Sequence, residues 1–87
     1  MPTKVHLRIL LFATAREAVG RDEIDVPFET GVALRDVIGS FFADHPRLGS
    51  PRQYRFALDG DLLEKGPASV RLVRSGELAI LPPYSGG

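Results

Sequence analysis

The sequence predicts an α+β fold, in which one main helix lies across one face of a mixed sheet of four to five strands. Three observations lead to this prediction. Residues 4–12 alternate between apolar and polar side chains, as a half-buried strand does. One strongly apolar helical pattern follows at 32–44, and another strand pattern lies at 77–81. A helix with a broad apolar stripe must cover a sheet face, so a single domain is expected.

The first two strands are expected to form an antiparallel pair with a long connection. Alternate residues from Val5 to Leu11 fall on one face of the first strand, and the other face becomes apolar only near its end. Residues 13–19 are expected to form a short helical turn or loop that closes at Gly20. The alternation resumes over 21–26, which predicts the second strand.

The main helix is predicted over 32–44, with Thr30 as its N-cap. His45-Pro46 ends it, because a residue before proline avoids the helical conformation. Gly39 costs about 1 kcal/mol of helix propensity relative to alanine, so a closely packed neighbour is expected there. The residues predicted to form its buried stripe are Leu34, Val37, Ile38, Phe41 and Phe42.

The second half adds shorter strand patterns at 54–58, 61–64, 70–73 and 77–81. Hairpin-like segments on both sides of one helix imply that the first and last strands lie together in the middle of the sheet, parallel to each other. That arrangement is the β-grasp, or ubiquitin-like, fold. We expect the domain to span 1–81 and residues 82–87 to form an extended tail.

Composition excludes several classes of function. Lys plus Arg equals Asp plus Glu, 11 each, so no global field attracts nucleic acid or an acidic membrane. There is no cysteine, and therefore no disulfide framework or thiolate. The first residues are too interrupted by charge for a signal peptide or a membrane span. We expect a cytoplasmic protein with neither nucleic acid nor a membrane as partner.

Catalytic motifs are scarce. No phosphate loop, nucleophile elbow or dinucleotide fingerprint is present. His6 and His45 lie far apart without metal-ligand spacing, and His6 is expected to face solvent from its strand. The chain alone is therefore expected to be no enzyme and to bind no metal or cofactor.

The tail carries the most specific signal, Pro82-Pro83-Tyr84-Ser85-Gly86-Gly87. Prolines cannot donate ladder hydrogen bonds and so end the last strand, and the glycines have no side chains to obstruct a narrow channel. At roughly 3.3 Å per residue the tail spans about 20 Å, enough to enter another protein's active site. A terminal carboxylate reacts only after activation, usually with ATP, and a separate activating enzyme is expected. The alternative is an inert, frayed terminus.

Two segments carry a family resemblance: Leu-Leu-Phe-Ala-Thr-Ala-Arg-Glu at 10–17, and the run from Leu78 to the last residue. They are similar to the strand with its Ala-x-x-Arg-Glu turn and to the closing Pro-Pro-x-(Ser/Thr)-Gly-Gly of the MoaD/ThiS family of ubiquitin-like sulfur carriers. The resemblance covers nearly the whole chain, although 46–70 is generic. At Tyr84 the chain departs from the family, in which valine is frequent, and a phenol ring requires a wider channel.

The resemblance implies a sulfur carrier in molybdenum cofactor biosynthesis. A ubiquitin-activating-like adenylyltransferase would activate Gly87 with ATP, and a sulfurtransferase system would convert it to a thiocarboxylate. The tail would then enter the large subunit of molybdopterin synthase, where the sulfur passes to cyclic pyranopterin monophosphate. The tail residues implied to bind partners are Pro82, Pro83, Tyr84, Ser85 and Gly86.

The residues independently suggest a docking surface. If the helix covers the face of Leu7, Ile9 and Leu11, then Leu10 and Phe12 lie on the open face of the sheet, near the tail. The alternative is that both pack under the turn formed by 13–20.

Other functions remain open at this point. The chain could carry sulfur to another acceptor, in thiazole or cysteine synthesis. It could be a protein modifier that is conjugated to lysines through Gly87. It could also be a plain β-grasp interaction domain whose tail is inert.

Overall fold

The computed structural model describes residues 4–82. One sheet has five strands: β1 (Lys4–Leu11), β2 (Glu23–Glu29), β4 (Arg55–Leu58), β5 (Asp61–Leu62) and β7 (Gly76–Leu81). A second, two-stranded sheet pairs β3 (Val32–Ala33) with β6 (Arg71–Leu72). The helices are α1 (Ala13–Val19) and α2 (Leu34–Asp44), and short 3-10 turns follow at Pro46–Leu48 and Pro51–Gln53.

The main sheet has the order β2-β1-β7-β4-β5. Its central pair, β1 and β7, is parallel, and the remaining neighbours are antiparallel. The connection between β1 and β2 contains α1, which ends at Gly20 in the left-handed conformation, with φ of 84°. The predicted β-grasp fold and its parallel central strands are thus confirmed.

The core lies between α2 and one face of the sheet. Alternate residues of β1 and β7, such as Ile9 and Ile80, are fully buried. The ring of Phe42 packs edge-on against Tyr54 and Phe56, with centroids 5.5 and 6.2 Å away. All five residues predicted for the helix stripe are buried: Leu34, Val37, Ile38, Phe41 and Phe42.

The start of the main helix corrects the sequence prediction. Helix α2 begins at Leu34, and its N-cap is Ala33 rather than Thr30. Val32 and Ala33 are instead paired with β6, and the Leu34 N–H donates to the carbonyl of Val70 at 2.9 Å. A backbone group from another segment therefore satisfies a donor that a side-chain cap would otherwise serve.

Gly39 also differs from the expectation. It is exposed on α2, and a Cβ built on it would meet no atom within 4 Å. The prediction of a closely packed neighbour there is wrong. The glycine only weakens the helix.

Replacing Gly39 with alanine should therefore raise the free energy of unfolding by about 0.5–1 kcal/mol, because alanine restricts the unfolded chain and fits the helix without strain. Urea unfolding followed by circular dichroism measures the change. Gly76→Ala serves as the control, since its Cβ would lie 2.7 Å from Oδ1 of Asp59, which accepts a hydrogen bond from the Glu77 N–H. That variant should lose stability. A destabilised Gly39→Ala variant would contradict the open environment.

None of the helices within residues 4–82 has the length and apolar character needed to cross a membrane.

Candidate tail exit and docking surface

Strand β7 is the central strand of the sheet, and the chain leaves the sheet where this strand ends. Its last residues run beside β1, with Ile80 opposite Leu11, and the strand ends at Leu81. Pro82 follows outside the strand and is exposed. The other tail residues predicted to react or to bind partners lie outside the described residues and stay predictions: Pro83, Tyr84, Ser85, Gly86 and Gly87.

An apolar row crosses the open face of the sheet, the face opposite α2. Leu10 of β1 lies opposite Ala79 of β7, Ala79 opposite Ala57 of β4, and Ala57 opposite Leu62 of β5. Directly paired residues share a face, so these four side chains form a continuous row. Leu62 is 40% exposed.

The row extends toward the tail. Leu81 and Phe12 each follow a member of the row by two residues, so they point to the same face. Phe12 is 45% exposed, and Leu10 is half-buried. We call these residues the open-face patch: Leu10, Phe12, Ala57, Leu62, Ala79 and Leu81. The structure thus brings Leu10 and Phe12 together beside the tail exit, and their role in binding a partner stays a prediction.

A tight strand-to-helix turn fixes the position of Phe12. Its carbonyl accepts hydrogen bonds from the N–H groups of Ala15 at 3.0 Å and Arg16 at 3.3 Å. Ala13 has φ of 50°, a left-handed conformation that is uncommon for residues other than glycine. Because Ala15 is fully buried in the core, α1 holds the Phe12 backbone against the domain while its ring remains partly exposed.

The other half of the open face is charged. Nη1 of Arg8 lies 3.2 Å from Oε2 of Glu77, and Nε of Arg8 lies 3.6 Å from Oε2 of Glu23. Nδ1 of His6 donates to Oδ2 of Asp25 at 2.6 Å. Such exposed pairs contribute at most about 1 kcal/mol each to stability, but charges at the rim of an interface set the orientation of a partner.

The histidines have separate structural contacts. His6 faces solvent, as predicted, whereas Nδ1 of His45 donates to the carbonyl of Phe41 at the end of α2, at 2.9 Å. Within residues 4–82, no group of three or more His, Asp and Glu residues is arranged to hold a metal ion.

Sequence reasoning missed four members of the open-face patch. A signal existed for Ala79 and Leu81, because they alternate with the buried residues Leu78 and Ile80. Ala57 had the same signal, because it alternates with Phe56 and Leu58, whereas Leu62 had none. Their place in the row depends on the register between β7, β4 and β5, which the sequence alone does not predict.

Comparison with known proteins identifies relatives over nearly the whole chain. The molybdopterin synthase sulfur carrier subunit of Chlamydomonas reinhardtii is 32% identical over 85 residues, which cover 95% of this chain and 100% of that protein. The solution structure of the Haloferax volcanii HVO 2177 protein has a TM-score of 0.82 at 22% identity, covering 97% of this chain and 88% of the other.

The solution structure of small archaeal modifier protein 1 from Methanosarcina acetivorans has a TM-score of 0.71 at 26% identity, covering 98% and 99% of the two chains. A protein modifier therefore shares this fold, and a sulfur carrier subunit is similar in sequence. The ThiS family model matches residues 9–87, a segment that includes β1 from Ile9, both helices, the patch and the tail. This chain belongs to the ThiS family.

Proposed function

We propose that this chain is the sulfur carrier subunit of a molybdopterin synthase, with 1–81 as its body and 82–87 as its reactive tail. The structural observation that supports docking is the position of the open-face patch beside the end of β7, where the chain leaves the sheet. A partner that covers this patch lies next to the base of the tail. The full-length similarity to a molybdopterin synthase sulfur carrier subunit agrees with the proposal.

The chemistry begins at the Gly87 carboxylate. One carboxylate oxygen attacks the α-phosphorus of ATP and pyrophosphate leaves, giving an acyl-adenylate. A sulfurtransferase system then supplies sulfur at the oxidation level of sulfide. This sulfur bonds to the acyl carbon, the bond from that carbon to the phosphate oxygen breaks, and AMP leaves a thiocarboxylate behind. ATP is bound by a separate, ubiquitin-activating-like adenylyltransferase. Because this chain has no cysteine, the sulfur comes from outside it.

Docking of the carrier on its partner subunit positions the sulfur for transfer. The large subunit of the synthase covers the open-face patch, and the tail enters its active site. There the thiocarboxylate sulfur bonds to cyclic pyranopterin monophosphate, and water then breaks the bond between this sulfur and the acyl carbon, which restores the Gly87 carboxylate. The patch has an apolar centre with Arg8, Glu23 and Glu77 at one side, which resembles the apolar core and polar rim of protein interfaces. The carrier is no enzyme on its own and supplies the sulfur-donating subunit of a two-subunit sulfurtransferase.

Reconstitution tests the proposal. The purified chain is incubated with the adenylyltransferase, ATP and a sulfur donor, and then with the large subunit and cyclic pyranopterin monophosphate. Molybdopterin should form only when every component is present. If the thiocarboxylate form of the chain binds no large subunit and transfers no sulfur to the pterin, the proposed acceptor is wrong.

The likeness to small archaeal modifier protein 1 favours one further function, conjugation of Gly87 to lysines of target proteins. Denaturing immunoblots of the native cells distinguish the two. Conjugation produces ladders above the monomer that disappear when Gly87 is deleted. Sulfur transfer alone leaves a single band.

A further inference from the structure

A groove lies on the other side of the domain, between the outer edge of β2 and helix α2. Its volume is about 580 Å³. Phe28, Val32, Val37 and Phe41 are among the residues that line it, and Val32 is the most exposed of these four. Apart from half-buried Val32 these side chains are buried, so they form a narrow apolar floor at the border of the core, which we call the apolar strip.

One wall of the groove is a free strand edge. Strand β2 is an edge strand of the main sheet and, among residues 4–82, pairs only with β1. The Leu11 N–H donates to the carbonyl of Asp22 at 2.8 Å, whereas the His6 N–H points away from β2, to Oγ of Ser75. Successive residues of β2 therefore alternate between bonding to β1 and pointing their backbone N–H and C=O groups away from it. The backbone groups of Asp25, Pro27 and Glu29 point away from β1. They are available to pair with another strand, except that Pro27 supplies no donor.

The rim of the groove is acidic. Glu29, Asp36 and Asp44 are among its lining residues, which include no Lys, Arg or His. Arg71 is near one end, where its guanidinium donates to the carbonyl of Gly31 at 3.2 Å. The carboxylates along the groove favour a partner that carries positive charge.

We propose that this groove binds an extended, basic segment of a partner protein. The segment adds a strand to β2, directs alternate aliphatic side chains onto the apolar strip, and pairs flanking lysines or arginines with the rim carboxylates. A second copy of this chain is a poor occupant. Edge-to-edge pairing of two β2 strands would bring Glu23, Asp25 and Glu29 of each copy together.

The groove is separate from the surface used in sulfur transfer. It lies near the start of β1, since Phe28 pairs with Val5, whereas the tail leaves the sheet beside the end of β1. It also opens on the helix side of the sheet. Binding there leaves the open-face patch uncovered, so this proposal does not depend on the proposed function.

A peptide titration followed by NMR tests the groove. The probe is the synthetic peptide Lys-Arg-Val-Thr-Ile-Thr-Val-Arg-Lys, added to the ¹⁵N-labelled chain. Amide shifts should concentrate in 23–32 and 36–44, and a peptide with Glu and Asp in place of its basic residues should bind at least about tenfold more weakly. Shifts confined to the open face, or equal binding of the acidic peptide, would overturn the proposal.

Charge variants add a second measurement. The double variant Asp36→Asn, Asp44→Lys should weaken binding of the basic peptide about tenfold, because it removes two of the rim carboxylates and adds one positive charge. Glu17→Lys, on the exposed surface of α1, reverses one charge outside the groove, a change of two units, and should leave binding unchanged. Equal affinity for the double variant and the parent would contradict the assigned rim. Shifts in β2 that grow with protein concentration before peptide is added would instead assign the groove to a second copy.

Discussion

Deleting Gly87, or adding one residue after it, should abolish sulfur transfer and leave the domain folded. Either change moves the terminal carboxylate by roughly 3.5 Å along the tail. Misplacing a reacting group by even 1 Å can cost about 100-fold in rate, so the loss should exceed that. Within residues 4–82 the last buried residue is Ile80, so we expect no change in the unfolding temperature. Molybdopterin formation and thermal unfolding measure the two effects.

A cleavable extension provides the matched control. A chain with a protease site directly after Gly87 should be inactive, and cleavage that regenerates the Gly87 carboxylate should restore activity. This rescue separates a misplaced carboxylate from a damaged domain. If the extended or shortened chain still supports molybdopterin synthesis, the reactive group is not the carboxylate of Gly87.

Phe12→Asp should weaken binding to the large subunit by about 30-fold or more, since burying an aromatic anchor at an interface commonly contributes at least about 2 kcal/mol. The same change should leave thermal unfolding almost unchanged, because the side chain is 45% exposed and lies outside the core. Isothermal titration calorimetry with the purified large subunit measures the affinity.

Val73→Asp is the matched control for that experiment. Val73 is 65% exposed, and it follows β6, away from the open-face patch, so its replacement should leave affinity unchanged. A large fall in the melting temperature of Phe12→Asp would place the ring in the core. Unchanged affinity would remove Phe12 from the docking surface.

The parts of the fold that follow strong periodicity were predictable from sequence. β1, β7 and the α2 stripe each bury alternate or helically spaced apolar side chains, which is the pattern that burial on one face produces. The β3–β6 pair was not predictable in the same way. Strands of two residues contain no period, and their pairing joins Val32 to Leu72 across 40 residues of chain. For that reason the predicted helix started two residues early.

The same distinction holds for the surfaces. The open face of Leu10 and Phe12 follows from the alternation within one strand, whereas the row that continues through Ala57 to Leu62 needs the register of other strands. The left-handed Ala13 had no signal, because alanine does not usually mark such a turn. The acidic groove was missed because its walls, β2 and α2, meet only in the folded domain.

The most direct measurement is the intact mass of the protein isolated from its own cells during cofactor synthesis. Replacing one carboxylate oxygen with sulfur adds about 16 Da to a chain that ends at Gly87. This heavier form should be present and should disappear when the adenylyltransferase is deleted. A mature chain that is blocked or extended beyond Gly87, or one that never acquires the sulfur, would contradict the proposed carrier chemistry.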